Sequence, residues 1–179
     1  MKKSFSVRSI VLGGLFIALG YVMPYLTMQI PNVGSMLLPM HLPVLLAGFV
    51  CGGPIGLIVG AVTPLLRSVI AGMPPMYPTA IAMAFELAAY GFLTGLFYRL
   101  FPKKTGYIYL ELLLAMLGGR IVWGLVSMLL YGVKGNAFTF AIFLNGAFIN
   151  ALPGIILQIV LIPIIVFALE RAGLIRKDR

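Results

Sequence analysis

Along most of this chain the apolar positions do not alternate with polar ones. They run on without interruption. From Ser9 to Leu66 there is no Lys, Arg, Asp or Glu. At ~1.5 Å per residue that run makes roughly 87 Å of helix, and one crossing of the hydrocarbon core takes about 20 residues, so it holds up to three crossings. Turn-forming residues mark the divisions: Gln29 to Ser35, the Cys51-Gly52-Gly53-Pro54 turn, Gly72 to Met76, Pro102 to Gly106, and Gly132 to Thr139. They predict six helices, at 8–28, 37–50, 55–71, 77–100, 107–131 and 140–171. The second is short for a full span, and a re-entrant hairpin formed by the second and third is the alternative.

Composition fixes the solvent. Hydrophobic residues are 61% of the 179 positions, charged residues 9%, and mean hydropathy is +1.10. A soluble domain carries roughly 25% charged residues. A soluble fold, a disordered chain and a disulfide scaffold are therefore excluded, and the single cysteine, Cys51, can form no internal disulfide. The chain reads as an all-α integral membrane protein, one transmembrane domain over residues 1–179. The basic, apolar beginning resembles a signal peptide, but its apolar stretch is too long and no small-x-small site follows, so it is expected to be a retained helix.

The net charge of +9 raises nucleic acid as a partner, and position argues against it. Ten of the thirteen Lys and Arg fall at the two ends of the chain or around the loop after the fourth helix, and only Lys134 falls on the opposite side. The bias of basic residues toward the cytoplasmic side places both termini and that loop in the cytoplasm. The two remaining cations, Arg67 and Arg120, lie inside predicted helices.

With sidedness assigned, depth follows. Arg67, Glu86 and Arg120 come out roughly 6, 14 and 17 Å below the outer ends of their helices. His41 starts the second helix, Tyr77 the fourth, Asn32 lies in the first outer loop, and Asn145 and Asn150 lie in the outer half of the sixth. Buried ionisable groups are costly and usually have a partner or a task. Arg67 and Glu86 suit a buried ion pair between the third and fourth helices, and Arg67 also suits an outer-interface position. Arg120 shares a face with Trp123, Ser127 and Tyr131, which reads either as packing or as a pocket wall. Glu86 with Tyr90 one turn on makes a polar edge. His41 reads first as a hydrogen-bonded packing residue and the two asparagines as interhelical glue, with ligand contact the alternative for each. Glu111, near the inner surface, is within reach of Lys103 or Lys104. The pattern suggests a pocket open to the outside and closed below by an apolar, glycine-rich half, whereas a channel would line both halves with polar groups. No catalytic residue set, metal site or cofactor motif is present: there is one His, one Cys and one Asp, Asp178.

Small residues suggest a further surface. Gly14 and Ala18 form a small-xxx-small pair on the first helix, and Gly48, Gly52, Gly53, Gly56 and Gly60 crowd the second and third. Such stripes let another helix approach closely, within the bundle or from a partner.

The stretches LPMHLPVLLAGFVCGGPIGLIVGAVTPLLRS (38–68) and GMPPMYPTAIAMAFELAAYG (72–91) resemble the substrate-binding S components of energy-coupling factor (ECF) transporters. The resemblance covers nearly the whole chain. It implies a six-helix vitamin-uptake subunit of an ABC-type importer in the bacterial cell membrane. Such a subunit binds its vitamin near the outer face without ATP. It docks on a transmembrane coupling protein driven by two cytoplasmic ATPases. The resemblance also implies docking through an Ala-x-x-x-Ala motif on the first helix, where Gly14 stands at the first position here and Ala18 at the second. The loop 29–37 would be the lid. The candidate binding residues are then Arg67, Glu86, Arg120, His41, Trp123, Tyr90, Asn145, Asn150, Asn32 and Tyr77. Arginine points to a carboxylate, a phosphate or an electron-rich ring, with pantothenate-like and B6-like compounds as examples. The competing reading is a stand-alone secondary carrier or small channel driven by an ion gradient through Glu86.

Overall fold

A computed structural model describes residues 6–27, 36–102, 104–133, 135 and 137–175. Every regular element among them is helical. They are α1 (Val7–Thr27), α2 (His41–Cys51), α3 (Gly53–Ala71), α4 (Ile81–Leu100), α5 (Thr105–Val133), α6 (Phe140–Leu144) and α7 (Leu152–Arg171), with π-type turns at Met76–Ala80 before α4 and Asn145–Ile149 after α6. Five segments are long and apolar enough to cross a membrane: Val7–Thr27, Gly53–Ala71, Met76–Leu100, Gly106–Val133 and Leu152–Arg171. The chain is an all-α multi-pass membrane protein.

Two predicted boundaries moved, each for a backbone reason. The second helix starts at His41 rather than 37, because the chain turns at Leu38 with φ 51°, directly before Pro39. The single helix predicted over 140–171 is broken. Pro153 has no N–H to donate back to Ile149. The Asn150 amide instead donates to Asn145 O at 2.9 Å, a wider turn, and α7 begins afresh at Leu152. The α2–α3 corner needs Gly52, at φ 88°, with Pro54 in the first turn of α3, where a missing N–H does no harm.

α4 is the hub, packed against α2, α3 and α5. Its contact with α2 and α3 is backbone on backbone. A Cβ at Gly56 would fall on the Gly91 carbonyl, one at Gly60 on the Leu87 carbonyl, and one at Gly95 on Gly53 N. These glycines therefore serve the interior of the bundle. Gly48, Gly53, Gly56 and Gly60 are all buried, which favours packing within the bundle over a partner surface, the two readings their pattern left open. α1 lies against α2 and α3 by Gly13, Phe16, Gly20 and Pro24, while Gly14 and Ala18 face outward with open space around Gly14.

The start of α1 and the end of α7 share one end of the bundle. The Arg8 guanidinium donates to Leu174 O at 3.0 Å, just beyond α7. The Tyr98 hydroxyl, near the end of α4, donates to Glu170 Oε1 at 2.6 Å, near the end of α7. Glu111 is buried and acts electrostatically on Tyr98, while Lys103, one of the two lysines within its expected reach, lies outside the described residues. This half is less bare than the sequence suggested, since two glutamates and a tyrosine hydroxyl sit in it.

Candidate functional site

Four side chains from three helices converge in the interior. Glu86 comes from α4, five residues past its start, and Tyr90 stands one turn further on the same face. Arg120 comes from the middle of α5, and His41 is the first residue of α2. Only 2% of Glu86, 2% of His41, 5% of Arg120 and none of Tyr90 is exposed. Close approach of α4 and α5 is permitted by Gly119, whose Cβ would fall on the Tyr90 ring.

Glu86 organises the cluster. Arg120 Nη1–H donates to Glu86 Oε1 at 2.7 Å, and His41 Nε2 stands 3.5 Å from the same oxygen. The His41 and Tyr90 rings meet edge to face at 5.4 Å. Much hydrogen-bonding capacity stays open: the Tyr90 hydroxyl, both His41 nitrogens, and Nε and Nη2 of Arg120 have no hydrogen-bond partner. Nε and Nη2 form one edge of the guanidinium, the edge that takes a planar pair of acceptors in a two-pronged contact. Buried polar groups are nearly always satisfied inside a folded protein, and this concentration of open donors makes the cluster the candidate site.

The expected Arg67–Glu86 pair does not form; Glu86 goes to Arg120. Arg67 turns the other way, toward α1, where Nη1–H donates to Tyr21 O at 3.0 Å and the guanidinium lies 4.7 Å from the centroid of the Tyr25 ring. The helical positions explain the exchange. Arg67 lies four residues from the C-terminal end of α3, whereas Glu86 and Arg120 lie further along their helices, at a shared level where they meet.

The other candidates fall into separate groups. Trp123 stacks on Phe143 at 6.1 Å and meets Phe138 edge to face at 5.8 Å, so it belongs to an aromatic cluster over the α5–α6 connection rather than to the Arg120 cation. Tyr77 donates its hydroxyl to Leu130 O at 2.6 Å and ties the turn before α4 to the end of α5. Asn145 and Asn150 are exposed in the irregular segment between α6 and α7. Asn32 lies outside the described residues. Sequence reading missed Gln158, fully buried in α7; its signal was a lone amide inside an otherwise unbroken apolar run.

A family described as ECF transporter, substrate-specific component, matches residues 8–166. The chain belongs to this family. Comparison with curated proteins and with solved structures gave no match. As an S component the chain is a transport subunit and the substrate-specific part of an ECF transporter. The family implies a small-molecule substrate and partnership with coupling and ATPase subunits. The His41–Glu86–Tyr90–Arg120 cluster is the prime candidate for the place where this S component meets its substrate.

Proposed function

We propose that this S component binds a small water-soluble vitamin or precursor at the His41–Glu86–Tyr90–Arg120 cluster. It then delivers the ligand by docking on a transmembrane coupling protein powered by two cytoplasmic ATPases. The observation that carries the reading is the open Nε/Nη2 edge of Arg120, buried next to an unpartnered tyrosine hydroxyl. A carboxylate, a phosphate oxygen pair or an electron-rich ring suits that edge. Pantothenate-like and B6-like compounds both carry such groups.

The basic residues support a topology with both termini in the cytoplasm of a bacterial cell, and the site then opens outward. Arg67 fits a role in holding α1 rather than a ligand contact, and Trp123, Tyr77, Asn145 and Asn150 fit the outer rim. The open face of α1 at Gly14 and Ala18 suits a docking helix, because a stripe without bulky side chains lets backbones approach. The test is equilibrium binding to the isolated protein without ATP, with mass spectrometry of any molecule retained through purification. Arg120→Ala should weaken binding tenfold or more, and unchanged affinity would remove Arg120 from the site. Co-purification should bring down a coupling protein with ATPases. Gradient-driven flux in vesicles holding this chain alone would replace the proposal with a secondary carrier.

A further inference from the structure

α7 carries a buried amide with no partner inside the protein. Gln158 is 0% exposed, and neither Oε1 nor Nε2 makes a hydrogen bond. An amide between membrane helices ordinarily serves as glue, but glue requires a group on the neighbouring helix to accept or donate. Among the described residues Gln158 has none, and a buried amide left without a protein partner carries a desolvation penalty.

Its position follows from the helix pairing. The Gly154 amide donates to Met36 O at 3.0 Å, and a Cβ at Gly154 would press on the Met36 and Leu37 backbone, just ahead of α2. At the far end, Arg8 binds Leu174 O beyond α7 and acts electrostatically on Cys51, the last residue of α2. α2 and α7 therefore run side by side in the same direction. Gln158 lies four residues past Gly154, about 6 Å further along α7, and His41 opens α2 just past the Met36–Leu37 backbone that Gly154 meets. Gln158 also stands on the buried stripe of α7 with Gly154, Ile162 and Val166. α7 packs on α2 and α5, the helices that carry His41 and Arg120.

We infer that Gln158 is a specificity-determining contact of this site, reading an uncharged group of the ligand that presents a hydrogen-bond donor beside an acceptor: an amide, a lactam or a ureido group. A primary amide offers one oxygen acceptor and an NH2 donor side by side, and its natural complement is the same pair reversed. Charge points the same way. Glu86 already sits against Arg120 at 2.7 Å, so a second charge at Gln158 would find no counter-ion there. The inference rests on the proposed ligand site. It separates the two substrate types named above: a carboxylate joined to an amide satisfies both Arg120 and Gln158, whereas a B6-like pyridine carries hydroxyls but no amide, lactam or ureido group.

The experiment is calorimetric titration of the purified protein with four probes. Pantothenate and biotin each carry a carboxylate with an amide or ureido group, nicotinate carries a carboxylate alone, and pyridoxine carries neither. Pantothenate or biotin should bind tightest. Gln158→Leu should weaken that ligand tenfold or more while the apo protein melts at the same temperature or higher, since an unpaired amide has been removed. Tightest binding of nicotinate or pyridoxine, unchanged affinity in Gln158→Leu, or a marked fall in its apo melting temperature would each overturn the role of Gln158. Either of the first two results would leave the site itself standing, provided Arg120→Ala still abolishes binding. If wild-type protein binds none of the four, the site reading fails and the inference falls with it.

Discussion

Removing the Glu86 carboxylate tests the centre of the site most directly. Glu86 is the acceptor Arg120 has inside the protein, at 2.7 Å, and Arg120 is 5% exposed. Glu86→Leu leaves the guanidinium in apolar surroundings with no counter-ion. Breaking one side of a buried pair costs about 3–5 kcal/mol. An arginine at the centre of a membrane helix costs about 2.5–3.5 kcal/mol on insertion scales. The two estimates meet near 3 kcal/mol, roughly a hundredfold in the folding equilibrium, which a protein of ordinary stability survives in weakened form. Glu86→Leu/Arg120→Leu removes both charges and should recover most of that loss, because replacing both partners of a buried pair by apolar groups is often close to neutral. Reversible unfolding of wild type, both single variants and the double variant in mixed micelles gives the coupling energy. Ligand titration on the same samples should find binding lost in all three variants. If the double variant loses as much stability as the two single variants summed, the pair carries no coupling and Glu86 does not hold Arg120 in place. If the double variant still binds ligand as wild type does, the cluster is structural and the substrate site lies elsewhere.

Three further outcomes follow from the packing. Gly60→Ala places a methyl on the Leu87 carbonyl and should destabilise the bundle by about 1–3 kcal/mol, read as a lower melting temperature, because backbone cannot yield as a side chain can. Gly14→Leu enters open space, so it should leave melting and ligand affinity unchanged while reducing co-purification of the coupling protein; normal co-purification would move docking away from this face. Arg67→Gln removes the charged donor to Tyr21 O and the contact with Tyr25, so amide exchange in the second half of α1 should quicken while ligand affinity stays within a few fold; a large loss of affinity would return Arg67 to the site.

How legible all this was depended on which physical signal each feature leaves. The long apolar helices were readable because an unbroken apolar run has one outcome in lipid, where the backbone must satisfy its own hydrogen bonds, although five rather than six are long enough to span. That Glu86 and Arg120 lie at similar levels was readable from residue spacing, and the structure joins them. Which cation Glu86 would take was not readable. Arg67 and Arg120 differ in rotation about their helices as well as in depth, and rotation is set by packing that no local pattern encodes. The break before α7 was visible as Pro153 and Gly154, but proline inside membrane helices is common enough that the residue alone does not mark an end. The glycines of α2 and α3 declared close packing without declaring with what. Gln158 was overlooked because one amide scarcely alters the hydropathy of its window.

The placement of the site on α4 has a mechanical consequence. One side of α4 is locked to α2 and α3 at Gly91 and Gly95, where carbonyls and amides of the facing helices touch. Sliding or spreading that seam would open gaps that no side chain is present to fill. Glu86 and Tyr90 therefore stand on a rigid base. The remaining walls are fastened differently. α7 is hydrogen-bonded at its two ends, through Gly154 to Met36 and through Glu170 to Tyr98, and the segment above it is an irregular turn with exposed asparagines. A ligand reaching a cluster this deeply buried needs something to move, and the seam is the costliest thing to move. On the proposed site, opening falls to α7, which carries Gln158, rather than to the α4 seam, which carries Glu86. In that reading Arg120 and Glu86 hold a ligand first and Gln158 completes the contact, which is where a specificity contact discriminates best.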